Sequence, residues 1–295
     1  MKAIIIAAGK GTRMFPAAKT IPKEMLPIVD KPTIQYLVEE CLDSGITDII
    51  IVINKEKEII KQHFTENPEI TKYLQSKNKT KELKELQNIE QKAKITYVYQ
   101  NEQKGDGHAI LCAEELIKDE PVVVLFGDDI WDCKTPPTKQ MIKTFELTNS
   151  PILSIIEVPK KETNKYGIIA PCNQEKQNSL NENTIKIKSL IEKPQPENAP
   201  SNLAITGKYI ITPELIKHLK TVQKPHSEEI RLIDGMEKYL EKNEIYGVKI
   251  EGERFDTGDK TGYIKAIINF ALKTDSTKEG IKKYIEILAE KGYNV

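Results

Sequence analysis

Short, almost wholly apolar runs separated by amphipathic helices constrain this chain more than any other feature. Ala3 to Ala7, Asp48 to Ile53, Ile95 to Tyr99 and Val122 to Phe126 are rich in Ile and Val, so strands built from them need cover on both faces. Between the first two, Thr33 to Ser44 puts Ile34, Leu37, Val38, Cys41 and Leu42 on one stripe and stops at Gly45. Further helices are expected from about Lys55 to Phe64 and His108 to Ile117. Strand-helix-strand alternation with apolar strands implies an α/β, Rossmann-like fold: a central sheet, mixed but mostly parallel, flanked by helices on both faces.

The second half is less regular. Strands are expected at Ile152 to Val158, Thr184 to Ile191 and Leu203 to Ile211, and helices at Pro213 to Leu219, Glu228 to Glu241, Lys260 to Leu272 and Thr277 to Glu290. Glu66 to Lys94, dense in Lys, Glu and Gln, reads as a solvated helical insertion, and Asn173 to Asn183 as a polar hairpin tip. Neither an internal repeat nor a long linker interrupts the chain.

Charge removes several classes of function. Forty-four basic residues balance forty-four acidic ones, which argues against a surface that tracks nucleic acid or anionic lipid, while leaving room for a local cationic pocket. No stretch approaches the roughly 18 apolar residues of a membrane helix. The apolar run Ala3 to Ala8 breaks into Gly9-Lys10-Gly11-Thr12-Arg13, the wrong sequel for a secretory signal. Cys41, Cys112, Cys133 and Cys172 are scattered without a C-x-x-C pair, so reduced thiols in a cytoplasmic protein are expected, and zinc is not.

The loop after the first strand invites comparison with phosphate-binding motifs. A dinucleotide fingerprint needs glycine where Met14 stands and a helix opening inside the loop, and the Walker A spacing is absent. Pro16, Pro22, Pro27 and Pro32 disfavour helix, so a long extended loop is expected. Gly9 and Gly11 permit close backbone approach, and Arg13 and Lys23 add two cations on a stiffened arm, which suits a triphosphate; an ordinary glycine turn with solvated basic residues stands beside that reading.

The whole string is more specific. Ala7-Ala8-Gly9-Lys10-Gly11-Thr12-Arg13, Pro16, and Pro22-Lys23-Glu24-Met25-Leu26-Pro27-Ile28-Val29-Asp30-Lys31-Pro32 resembles the signature of nucleotidyltransferases that make nucleotide sugars. Similar matches continue at Gln100 with Gly105-Asp106-Gly107-His108-Ala109, Gly127-Asp128-Asp129-Ile130, Tyr166-Gly167-Ile168-Ile169, Glu192-Lys193-Pro194, Pro200 to Ile205 and Phe255-Asp256-Thr257-Gly258-Asp259-Lys260. The resemblance implies the nucleotide-diphospho-sugar transferase fold, with a catalytic domain over residues 1–272 and a helical extension at 273–295. Its nucleotide-binding half would be about 1–130 and its sugar-phosphate half about 131–259. The pattern departs at Gln103-Lys104, at Asp106, where an apolar residue is common, and in Glu229 to Asp234, where Arg231 and Ile233 replace the usual Gln and Thr.

Carried over residue by residue, the resemblance implies nucleotide contacts from Ala7, Ala8, Gly9, Gly11, Gln100, Gly105 and Asp128. Tyr166, Gly167, Glu192, Lys193 and Ala204 would bind the sugar phosphate, Asp128 and Asp256 would hold Mg2+, and Arg13, Lys23 and Lys193 would be catalytic. Each has a plainer reading: Asp128 and Asp256 as turn-capping carboxylates, Gln100 as a surface amide, Glu192-Lys193 as a solvated charge pair whose side chains point to opposite faces of a strand. Asp129 is the weaker metal candidate, and His108 is expected to pack or cap a helix.

The reaction implied is transfer of a uridylyl group from UTP to glucose 1-phosphate, giving UDP-glucose and pyrophosphate, in a homodimer or homotetramer. No convincing nucleophile stands among the matched residues, so attack is expected to be direct. The same chemistry with dTTP or another hexose 1-phosphate, and a catalytically silent regulatory relative, stand as alternatives. An oxidoreductase rests on Gly9-x-Gly11 alone.

Overall fold

Successive residues of the first strand are buried on opposite faces, so it reads as unbroken apolar sequence. In the computed structural model, which describes residues 1–172, 182–222 and 229–292, Ile4 faces one core while Ala3 and Ile5 face the other. The same division separates Ile50 and Val52 from Ile49 and Ile51, and Val122 and Val124 from Val123 and Leu125. Two cores on opposite faces of one sheet leave no side for a polar residue.

The strands in chain order are β1 (Lys2–Ile6), β2 (Pro27–Ile28), β3 (Lys31–Pro32), β4 (Asp48–Ile53), β5 (Lys94–Tyr99), β6 (Val122–Phe126) and β7 (Asp129–Asp132). They continue with β8 (Ile152–Glu157), β9 (Gly167–Pro171), β10 (Thr184–Glu192), β11 (Leu203–Ile211), β12 (Tyr246–Lys249) and β13 (Glu253–Asp256). Among the described residues nine of these form one sheet in the order β5-β4-β1-β6-β11-β8-β12-β10-β9, and β9 also touches β11 through the single pair Ala204–Ile168. β5, β4, β1 and β6 run parallel, as expected of their apolar sequences. Beyond β6 the sheet departs from the mostly parallel expectation: β11 is antiparallel to β6 and β8, and β10 to β12 and β9. Only β8 and β12 are parallel there. The second half therefore has no regular strand-helix repeat, since antiparallel neighbours need no crossover helix.

The helices are α1 (Thr33–Asp43), α2 (Glu58–His63), α3 (Pro68–Ser76), α4 (Thr80–Lys92), α5 (Gly105–Cys112), α6 (Glu114–Ile117), α7 (Pro137–Thr148), α8 (Pro213–Lys220), α9 (Leu232–Leu240), α10 (Lys260–Ala271) and α11 (Lys278–Glu290). α1 buries the predicted stripe of Ile34, Leu37, Val38 and Cys41. It ends at Gly45, whose φ of +83° lets Ile46 turn back to donate to the Cys41 carbonyl at 2.9 Å. Asp259 starts α10 by accepting from Thr261 and Gly262, and Asn67 starts α3 by accepting from Glu69 and Ile70.

Several expectations shift. The helix expected over 108–117 is split into α5 and α6, and the charged insertion is two helices, α3 and α4, that each bury one apolar residue, Leu74 and Ile89. The proline-rich loop is not extended: three 3-10 turns, Thr12–Met14, Ala17–Lys19 and Lys23–Met25, fold it against the sheet. Prolines block α-helix but suit the first residue of such short turns. The hairpin expected over 173–183 lies almost wholly outside the described residues, as does the start of the helix expected from Glu228.

A fully buried lysine ties the two halves together. Lys208 on β11 pairs with Glu40 on α1 at 2.8 Å and donates to the Asp129 carbonyl at 2.9 Å, while the other Glu40 oxygen accepts from the Thr138 amide and hydroxyl at 3.1 and 2.7 Å. Replacing Lys208 with Met is expected to destabilise the protein by about 3–5 kcal/mol, because Glu40 would stay buried without its cation. Denaturant unfolding of the two proteins measures it.

Candidate active site

β1 and β6 are adjacent and parallel, yet the chain leaves β1 toward β4 on one side and returns to β6 on the other. Such a switch opens a crevice beyond the carboxyl ends of the strands, where α/β sheets bind ligands. Here the crevice is a cavity of about 560 Å3. The turn after β1 supplies Gly9 and Arg13, the third 3-10 turn Lys23, and the end of β6 Asp128. Tyr166 and Gly167 come from the start of β9, Glu192 and Lys193 from the end of β10, and Arg254 and Asp256 from β13.

β13 pairs with β7 so that Asp256 lies opposite Asp129. This brings Asp256 beside Asp128, although 128 positions separate them in sequence. Lys23 forms a direct ion pair with Asp128, and Arg13 reaches both carboxylates, 3.2 Å from Asp256 and 3.7 Å from Asp128. Thr257 fixes the approach by donating to the Asp128 carbonyl from its amide at 2.8 Å and its hydroxyl at 3.0 Å. A methyl group placed on Gly258 would lie 2.2 Å from Asp128 Oδ2 and 2.9 Å from Asp256 Oδ1. The two oxygens therefore flank one small space, which the Arg13 guanidinium also borders, its Nη2 lying 2.8 Å from the same point.

Burial alone would lift the Asp128 pKa, but Lys23, Arg13 and Arg254 outweigh it and hold the carboxyl below its ordinary value. Asp256 goes the other way, pushed up by burial and by the Asp128 charge against the pull of Arg13 and Arg254. For Lys23, Asp128 and Glu24 overcome a burial penalty and raise the pKa. Behind Lys23, the buried Glu24 pairs with Lys57 at 2.7 Å. Burial pushes Glu24 up and Lys57 down, so this pair resists its own desolvation through direct contact.

Asp129 is occupied elsewhere. Its Oδ1 accepts from the Trp131 indole at 2.8 Å, and its Oδ2 from the Gly207 amide and from Arg254 at 3.1 Å. Arg254 in turn lies 5.8 Å from the centre of the Tyr166 ring, over its face.

Glu192 and Lys193 correct an expectation. Alternation predicts opposite faces, yet both line the cavity, and the Lys193 ammonium lies 3.3 Å from the Glu192 carboxylate. β10 ends at Glu192, and Lys193 has a φ of +46°, so strand alternation no longer applies there. Gln100 is not a surface amide: it is buried, and its Nε2 donates to the Gly105 carbonyl at 2.8 Å and lies 3.1 Å from His108 Nδ1.

Of the residues singled out in the sequence, the cavity thus collects Gly9, Arg13, Lys23, Asp128, Tyr166, Gly167, Glu192, Lys193 and Asp256, together with Asp129, whose carboxylate is engaged by Trp131, Gly207 and Arg254. Ala7, Ala8, Gly11, Gln100, Gly105 and Ala204 stand outside its lining. Ala7 and Ala8 are buried: the Ala7 amide donates to the Val52 carbonyl at 2.8 Å, and the Ala8 carbonyl accepts from Asn54 at 2.8 Å and from Gln103 at 3.1 Å. Sequence reasoning missed Arg254, Arg231 and Lys165, and gave Asp106 no role. Arg254, two residues before Asp256, had a signal in its strand spacing, since i and i+2 share a face. Arg231 and Asp106 had only their departure from the resembling pattern.

Among the described residues no three His, Cys, Asp or Glu side chains are grouped to hold a metal ion, and no helix is long and apolar enough to cross a membrane. Residues 2–272 match the family described as Nucleotidyl transferase. A UTP–glucose-1-phosphate uridylyltransferase of Staphylococcus epidermidis is 44% identical over 287 residues, 97% of this chain and 98% of that one. A Bacillus subtilis enzyme of the same name is 43% identical over 290 residues, 98% of this chain and 97% of its own. Among solved structures, a UDP-glucose pyrophosphorylase complexed with UDP-glucose superposes with a TM-score of 0.83 at 37% identity, covering 92% of this chain and 99% of that one. A UTP-bound UGPase from Acinetobacter baumannii gives 0.88 at 31% identity, covering 96% and 98%.

Proposed function

This chain belongs to the nucleotidyl transferase family, and from that premise we propose that its cavity joins UTP and glucose 1-phosphate into UDP-glucose with release of pyrophosphate. The observation that carries the reading is the convergence of Lys23, Arg13, Asp128 and Asp256 at the mouth of the β1–β6 crevice. The relatives named for this reaction align over nearly their whole length.

Two anions must meet for the reaction to occur, so the chain's main task is to offset charge and align the partners. Arg13 and Lys23 bind the triphosphate and the departing pyrophosphate. Lys193 holds the phosphate of glucose 1-phosphate, and Glu192 and the Gly167 backbone receive the sugar hydroxyls. An oxygen of the sugar phosphate attacks the α-phosphorus in line and the bond to pyrophosphate breaks. That oxygen is ionised at neutral pH, so no general base is required. On the base side, Ala7, Ala8, Gly9, Gly11, Gln100 and Gly105 frame the nucleotide, and Ala204 supports the sugar wall.

Asp128 and Asp256 flank a small space that Arg13 also borders; with Arg13 and Lys23 turned to the triphosphate, the two carboxylates would suit a hard divalent cation such as Mg2+, which takes one or two carboxylates and completes its shell with water and phosphate oxygens. When bound, such an ion supplies charge neutralisation across the reacting phosphates. A cation arriving with the triphosphate would take over Asp128 and Asp256 while the triphosphate takes over Lys23 and Arg13, so each charge released from an ion pair gains a new partner.

We read residues 1–272 as the catalytic domain of a cytoplasmic protein. The exposed Ile264 and Ile268 on α10 and Tyr284 on α11 support association of copies, and light scattering is expected to give a dimer or tetramer. Asp128→Asn is expected to lower turnover by at least about 100-fold with the fold retained; pyrophosphate release and circular dichroism check the two halves of that statement. Parallel assays with UTP and dTTP test the base: UTP is expected to be preferred by about 10–200-fold in kcat/KM, the range one methyl group allows. Equal rates, or no pyrophosphate with UTP and glucose 1-phosphate, would remove the proposal.

A further inference from the structure

Asp106 and Arg231, two of the departures from the resembling pattern, both line the cavity. Asp106 lies in the first turn of α5, at the base end of the site. Its Oδ1 accepts from its neighbour Gly107 at 2.7 Å and from the Leu232 amide at 2.9 Å. Leu232 is the first residue of α9, and Arg231, in the N-cap position, makes no side-chain cap of its own. The opening amides of a helix lack partners within it and favour a negative charge nearby. Asp106 supplies both from 126 positions away.

Backbone contacts reinforce the junction. Ile230 donates to the Lys104 carbonyl at 2.8 Å, and the Ile230 carbonyl accepts from His108 at 3.3 Å. A methyl group on Gly105 or Gly107 would come within 2.5 or 2.8 Å of that same carbonyl, so the two backbones touch with no side chain between them. The first turn of α9 then carries Ile233 into the cavity beside Arg231, which is held by two bonds of 3.1 Å to Asp234. Glu192 lies close enough for its charge to be felt by both Arg231 and Asp106.

We propose that Asp106 is a positioning residue that straps the nucleotide loop to the start of α9, so that base binding fixes the wall against which the sugar phosphate is accepted. This rests on the assignment of UTP and glucose 1-phosphate to the two ends of the cavity. Removing the strap leaves the phosphate and carboxylate cluster intact and loosens the sugar wall, so it acts on acceptor binding more than on the chemical step.

The test is steady-state kinetics of the full chain and two variants. Asp106→Leu, which cannot accept a hydrogen bond, is expected to raise the KM for glucose 1-phosphate about tenfold while changing kcat and the KM for UTP by less than about threefold. Asp106→Asn keeps an acceptor oxygen and is expected to restore most of the loss. A KM for glucose 1-phosphate in Asp106→Leu equal to that of the parent, or a uniform fall in all three constants that Asn does not rescue, overturns the strap. A parent protein inactive with UTP and glucose 1-phosphate overturns the functional reading instead. Amide exchange in the parent protein needs no variant: adding UTP is expected to slow exchange at Ile230 and Leu232, and unchanged rates would count against the strap even if Asp106→Leu failed to fold.

Discussion

Opposed charges held at one point of the crevice are what the rest of this molecule is arranged to support. Lys23 and Arg13 arrive on the loop after β1, Asp128 at the end of β6 and Asp256 from β13. None of the four is near the next in sequence except the first pair. The parallel β1–β6 register places two of these loops side by side, and the antiparallel β7–β13 ladder delivers the remaining carboxylate. Like charges this close repel, and burial adds to the penalty, as the opposite directions of the Asp128 and Asp256 shifts record. Lys23 and Arg13, with Arg254 close by, make the arrangement sustainable.

Much of this was legible from the residues. The Ile- and Val-rich runs announced β1, β4, β5 and β6 because strands buried on both faces leave no polar alternation to confuse the reading. The pairing of Asp128 with Asp256 is implied by the family resemblance rather than by the residues alone, and the fold brings the two together. What sequence did not carry was the direction of the later strands, because β8 and β11 are buried along most of their length although β8 runs parallel to β12 and antiparallel to β11. Nor did alternation foresee Lys193, whose side-chain direction is set by one positive φ after the strand has ended.

The buried charges were the least legible. Nothing in the local sequence of Lys208, Glu40, Lys57 or Glu24 separates them from the many solvated Lys and Glu residues of this chain. Their partners lie far along the chain, and a buried ion pair is defined by its partner. Both pairs nevertheless sit close behind the site. Lys57 and Glu24 back the turn that carries Lys23, while Lys208 holds the carbonyl of Asp129 next to Asp128. The protein thus places charge in its interior where the neighbouring backbone has to be held still.

The lone pairing of Ala204 with Ile168 has a further effect. It gives β9 a second neighbour at Ile168, so this margin of the great sheet bends toward β11 and its row of open amides and carbonyls is interrupted. Such rows recruit foreign strands and seed aggregates. The β5 border at the other end of the sheet has no such second contact among the described residues, and it opens on the charged Lys94, a residue type that resists strand addition.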